Sequence, residues 1–212
     1  MRHDSQNGTT LTPLEELPRH GSLPWLKPGD IILVHTKKDI GRAIYRKVTK
    51  SYWNHTAMVL YPKGFSGAEK DLYIESIGGR IRIHTLNYML NNPDRYDIGI
   101  KRIPHLSLPI ERRIIAFALL SLDIKTTRHR FMGTKFVLGL LFPSLKQWLL
   151  HGSYRSSTSF VQTTLYEAVD WKDKERISLT EYLSSPLETE TWLTPQEISE
   201  SNHCEWIYNK RA

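Results

Sequence analysis

Apolar and polar positions fall into blocks whose period changes along the chain. Residues 1–22 are polar, with glycine and proline, and predict a loose N-terminal arm. Turn chemistry at Leu26-Lys27-Pro28-Gly29-Asp30 then leads into Ile31-Ile32-Leu33-Val34, a short continuous apolar run that predicts a strand. Asp39 reads as an N-cap. Ile40, Ala43, Ile44 and Val48 follow at helical spacing with Arg42, Arg46 and Lys47 turned outward, so a basic amphipathic helix is expected there. Strands are expected over 55–61 and 72–76 with a loop between them. Gly78-Gly79 predicts the tight turn of a hairpin into Arg80-Ile81-Arg82-Ile83-His84. A further strand is expected over 96–103.

The second half changes to a helical period. Pro109, at an N1-like position, opens a predicted helix through residue 122, with Ile110, Ile114, Phe117, Ala118 and Leu122 apolar. Residues 131–150 are rich in large apolar side chains, broken by Gly133, Gly139 and Pro143. A second helix is expected over 158–169, with Phe160, Val161, Leu165 and Ala168 on one face. Leu193-Thr194-Pro195-Gln196-Glu197 reads as a Thr-capped helix start. Strands first and helices afterwards predict an α+β fold, an antiparallel sheet packed against helices. No internal repeat is visible, and one domain is expected over 23–212, with 131–150 as an apolar insertion within it.

Composition narrows the class. The 212 residues, 40% hydrophobic and 24% charged, suit one globular domain. The single cysteine, Cys204, excludes an intramolecular disulfide and a cysteine-rich zinc site. Residues 1–10 hold no apolar signal core, and the longest apolar run, 136–142, is shorter than the ~20 residues a membrane span needs. The expectation is a chain made in the cytoplasm, with delivery to the bacterial envelope or periplasm as one route. The net charge of +7 favours an anionic surface, although solubility alone accounts for it equally well. There is no zinc-finger spacing, RNP-like motif or arginine-rich block, so nucleic acid is not an expected partner.

Three positions carry candidate chemistry. His55 stands where a polar turn becomes an apolar strand in Trp53-Asn54-His55-Thr56-Ala57-Met58-Val59-Leu60. Glu75 lies on the next strand, in Tyr73-Ile74-Glu75-Ser76. Ser157 precedes the 158–169 helix. A nucleophile at a helix N-terminus, a histidine that takes its proton and a polar group that orients the imidazole make up an acyl-transfer triad. Each position also has a plainer reading: a strand-edge histidine bound to a carbonyl, a surface glutamate, and an N-cap serine. His35, His84, His105, His129, His151 and His203 show no ligand spacing and read as structural or surface groups; no metal or cofactor is expected. Cys204 lies outside the motif and reads as a structural or surface cysteine.

These segments, together with Lys27-Pro28-Gly29-Asp30-Ile31-Ile32-Leu33, Gly78-Gly79-Arg80-Ile81-Arg82 and Ser157-Thr158-Ser159-Phe160-Val161-Gln162, resemble the permuted NlpC/P60 branch of the papain-like superfamily. That branch includes YiiX-like hydrolases and is related to lecithin:retinol acyltransferase-like enzymes. The matching order, histidine then glutamate then nucleophile position, covers most of residues 25–170, and Leu193-Thr194-Pro195 looks like the closing segment. The resemblance implies a circularly permuted papain-like fold and a cysteine-type hydrolase or acyltransferase. In it residue 157 attacks a carbonyl, His55 is base and then acid, Glu75 orients His55, and the N–H of residue 157 contributes to an oxyanion hole. The departure is that Ser157 stands where this group has cysteine. Three explanations stay open: an engineered replacement that silences the enzyme, a natural serine enzyme, or a catalytically dead binding protein.

Two features bear on the substrate. Arg42, Arg46, Lys47 and Lys50 form a basic face, which is equally a solvated one, and residues 136–150 form an apolar stretch, which is equally packed core. Together with the resemblance they lean to a lipid ester and a membrane surface, with a cell-wall peptide amide as the alternative. An inhibitor (immunity) protein is the partner expected if the chain is an antibacterial effector.

Overall fold

The computed structural model describes residues 23–38, 46, 51–78, 80–123, 157–170, 179 and 193–209. The arm at 1–22, the apolar stretch at 131–150 and all of the expected basic helix except Arg46 lie outside the described residues.

The chain builds β1 (Ile31–Thr36), β2 (His55–Tyr61), β3 (Leu72–Ile77) and β4 (Arg80–Thr85) in succession. A single turn, α1 (Asn87–Leu90), leads to β5 (Tyr96–Arg102), and α2 (Leu108–Leu120) follows. The remaining described elements are α3 (Ser157–Ala168), α4 (Pro195–Glu200) and β6 (Glu205–Asn209). All six strands join one sheet in the order β4-β3-β2-β1-β5-β6, and every neighbouring pair is antiparallel. The fold is α+β, with the sheet packed against helices.

The unbroken apolar run of β1 has a physical cause. Ile31 and Leu33, with Met58, Leu60 and Ile74, pack in one cluster with Ile114, Phe160 and Leu165 of α2 and α3. Ile32 and Val34, with Ala57, Val59 and Tyr73, point the other way and are covered by Leu23, Leu26, Leu86 and Met89. A strand at the middle of the sheet with both faces covered loses the apolar–polar alternation of a half-exposed strand. The hairpin of β3 and β4 pairs Ile77 with Arg80, and Gly78 at φ +62° supplies the left-handed turn conformation.

Two contacts fasten the C-terminal segment to β5. Gly99 lets tryptophan rings lie against the backbone: a Cβ there would stand 2.7 Å from Trp206 and 2.8 Å from Trp53. Lys101 is buried, and its ammonium donates to the carbonyls of Ile198, Ser199 and Ser201 at 2.9, 3.1 and 2.7 Å. Those carbonyls close α4, whose N-terminus carries the expected capping box between Thr194 and Glu197.

Some expectations shift. Arg46 is not turned outward: its guanidinium donates to the Thr36 carbonyl at 2.7 Å, tying its segment to the end of β1. The helix expected to reach residue 122 gives way at Ser121 to a 3-10 turn, Ser121–Asp123. Strand β6 sits in what reads as a mixed tail, because an edge strand of mixed polarity carries no clear period.

Candidate active site

Strand β2 delivers His55. As its first residue, His55 pairs with Val34 of β1, and the backbone N–H of Asn54 donates to the Val34 carbonyl at 3.0 Å. Alternation along β2 sends His55, Ala57 and Val59 to the sheet face opposite α2 and α3. Thr56 faces α3 instead, and its Oγ1 lies 3.1 Å from Thr158 Oγ1. On β3 the same alternation puts Glu75 beside Tyr73, on the face that His55 occupies.

The two side chains meet. His55 Nε2 lies 2.6 Å from Glu75 Oε2, and both residues are buried. A contact this short between imidazole and carboxylate is a charge-assisted hydrogen bond, which fixes ring orientation and tautomer. It commits Nε2 as the N–H donor and leaves Nδ1 as the basic nitrogen; Nδ1 has no hydrogen-bond partner among the described residues. The strand-edge reading, in which a backbone carbonyl satisfies the ring, is replaced by this carboxylate contact.

Glu75 has a second imidazole. His84 Nε2 stands 3.5 Å from Glu75 Oε1, and the His84 ring tilts against Tyr73 at a centroid distance of 5.7 Å. His84, a structural or surface group by its spacing, keeps an exposed side chain and adds this contact to Glu75. The signal was available in Arg80-Ile81-Arg82-Ile83-His84, because period two places Arg80, Arg82 and His84 on one face. The hairpin register sets Tyr73 opposite His84 and Glu75 opposite Arg82. Burial and the charge of Glu75 push the Tyr73 phenol well above its usual range, so it stays a proton donor.

Ser157 is the first residue of α3, anchored by the buried Phe160, Val161 and Leu165. Its hydroxyl accepts from the backbone N–H of Thr56 at 3.3 Å. Ser157 therefore stands at the residue next to His55, and its described hydrogen bond runs to β2 rather than into its own helix as an N-cap's would. No hydrogen bond joins Ser157 Oγ to the His55 ring among the described residues.

A cavity of about 350 Å³ opens beside the pair; His55, Glu75, Tyr73 and His84 line it, and Ser157 does not. The other candidate groups sit elsewhere. His35 Nδ1 pairs with the Tyr52 carbonyl at 2.8 Å, and burial lowers its pKa. His105 is exposed, His203 is half-buried, and His129 and His151 lie outside the described residues. Cys204 is buried in the helix-side core, and desolvation pushes its thiol up to about 11. A neutral thiol in the core is no substitute nucleophile.

No family profile matches the chain. No curated protein matches it. Among solved structures it is similar to the crystal structure of YiiX from Escherichia coli O157:H7, described as a metalloprotein and as DUF1105. The TM-score is 0.57 at 14% identity, over 87% of this chain and 97% of that one. Among the described residues of the present chain, no group of three or more His, Cys, Asp or Glu is placed to hold a metal ion. The likeness establishes the fold: this chain has the α+β arrangement of YiiX.

Proposed function

We propose that the chain is built for papain-like acyl hydrolysis or transfer, with residue 157 as nucleophile, His55 as general base and then acid, and Glu75 as the group that orients His55. The observation that carries this reading is the 2.6 Å contact between His55 Nε2 and Glu75 Oε2, which leaves Nδ1 as the base. Ser157 Oγ supports it from the adjacent residue, 3.3 Å from the Thr56 N–H. That N–H and the start of α3 both favour negative charge on atom γ of residue 157, as an attacking thiolate requires. The steps follow in order. His55 Nδ1 takes the proton of residue 157, and atom γ bonds to the carbonyl carbon. The oxyanion faces backbone N–H groups at the start of α3, and the leaving group departs with the proton from His55. Water then repeats the sequence on the acyl-enzyme.

Serine at 157 makes the present chain a weak catalyst by this route, because a hydroxyl needs stronger base activation than a thiol. The cysteine form is the active one in this reading. The substrate we favour is a lipid ester, supported by the net charge of +7; a cell-wall peptide amide is the alternative. Ser157→Cys protein incubated with phospholipid vesicles and with purified peptidoglycan tests both. Fatty acid release is expected. Release of neither fatty acid nor peptide would sink the enzyme reading.

A second reading is a binding protein that keeps the cavity and has lost catalysis. It draws on the Ser157 hydroxyl, which bonds to the Thr56 amide and not to the His55 ring. Lipid and cell-wall targets both lie in the envelope, so an antibacterial role would bring an inhibitor protein as partner, an acidic one to match this chain's charge. Its absence from pull-downs made in the producing cell would count against that role.

A further inference from the structure

The cavity beside the His55–Glu75 pair gathers cations that form no ion pair among the described residues. Lys38, Arg82 and Arg95 all line it. None of the three forms a salt bridge among the described residues, whose ion pairs use Lys37, Arg102, Arg113 and the two site histidines instead. Glu75 is the cross-strand partner of Arg82, yet its oxygens meet the His55 and His84 rings. The three cations come from separate places: the turn after β1, strand β4, and the turn before β5. The fold, and not a run of basic sequence, brings them to one concavity.

Unpaired cations around a concave site with low-dielectric walls focus a positive potential into it. Guanidinium groups present parallel N–H donors that match phosphate oxygens, and a lysine adds a mobile point charge. Tyr73 and Tyr96 line the same space, and Tyr73 keeps its phenol proton. A ligand that neutralises this wall carries more than one negative charge and several acceptor oxygens.

We propose that this cavity is a phosphate-binding subsite, in which Arg82 and Arg95, with Lys38, seat the phosphate group of the ligand whose acyl bond lies beside His55. The placement of the acyl bond rests on the function proposed above; the phosphate site itself does not. The phosphate has two sources, a phospholipid headgroup or a soluble phosphate.

The test uses the full chain with Ser157 in place and reads binding alone, apart from any turnover. Inorganic phosphate is titrated by calorimetry, and dioleoylphosphatidylglycerol vesicles are titrated by co-sedimentation. The unaltered chain is compared with Arg82→Gln/Arg95→Gln and with a control of equal charge change, Lys63→Gln/Arg112→Gln, whose residues are exposed and outside the cavity lining. The expected result is saturable binding that weakens at least about tenfold in the first variant and less than about twofold in the control. If both ligands respond, or the vesicles alone, the source is a headgroup; if inorganic phosphate alone responds, it is a soluble phosphate. Equal weakening in both variants, no weakening in either, or no saturable binding by the unaltered chain overturns the proposal. Failure of the Ser157→Cys protein to release fatty acid leaves this result standing, so the two ideas fail separately.

Discussion

At the scale of single residues the account turns on Glu75. Its carboxylate fixes the His55 tautomer through Nε2, and an amide in its place can present oxygen or nitrogen to the ring with no charge. In the Ser157→Cys background, Glu75→Gln is expected to lower kcat/KM by about 10²–10⁴-fold while binding of a non-reactive substrate analogue changes little. A second residue-scale expectation concerns Cys204. Desolvation by burial pushes its folded thiol up to about 11 from an ordinary 9.0, so the stability linked to it is fully present below 9.0 and is lost as pH rises through about 11. The sign follows because the unfolded thiol gives up its proton first. Urea unfolding at pH steps across that window is expected to show falling stability, and Cys204→Ala to flatten the fall. The strand positions of His55 and Glu75 were legible in the sequence because each sits in a short motif. Period two also put His84 on one face of its strand, but its contact with Glu75 needs the register of the hairpin as well.

At the scale of elements, the sheet centre and its β4 edge were readable and the β6 edge was not. The run Ile31-Ile32-Leu33-Val34 announces β1, and Gly78-Gly79 announces the β3–β4 turn, because burial and turn geometry act on neighbouring residues. Strand β6 depends on distant partners: Trp206 lies over Gly99, and the segment before it is held by Lys101. Two substitutions measure that attachment. Gly99→Ala forces a Cβ to within 2.7 Å of Trp206 and is expected to cost about 1–3 kcal/mol in chemical denaturation. Lys101→Met removes the donor to three carbonyls at the end of α4 and is expected to cost about 1–3 kcal/mol. A Lys101→Met protein as stable as the parent would show that water reaches those carbonyls and that the lysine is dispensable.

At the scale of the whole molecule, the antiparallel sheet separates the proposed machinery between its two faces. His55 and Glu75 lie on the cavity side, and α3 lies on the other, so the proposed coupling of residue 157 to His55 must pass around the first residue of β2. That arrangement was not visible in the order of motifs, which gives sequence positions but not faces. The chemistry therefore depends on coupling between residue 157 and His55. The direct measurement is the pH dependence of iodoacetamide alkylation of the thiol introduced by Ser157→Cys, with the buried Cys204 silent in the folded protein. A thiol coupled to His55 is expected to ionise well below the free value of about 8.5 and to return toward it in the Ser157→Cys/His55→Ala protein. A thiol that titrates near the free value, or one whose titration is unmoved by loss of His55, would contradict it.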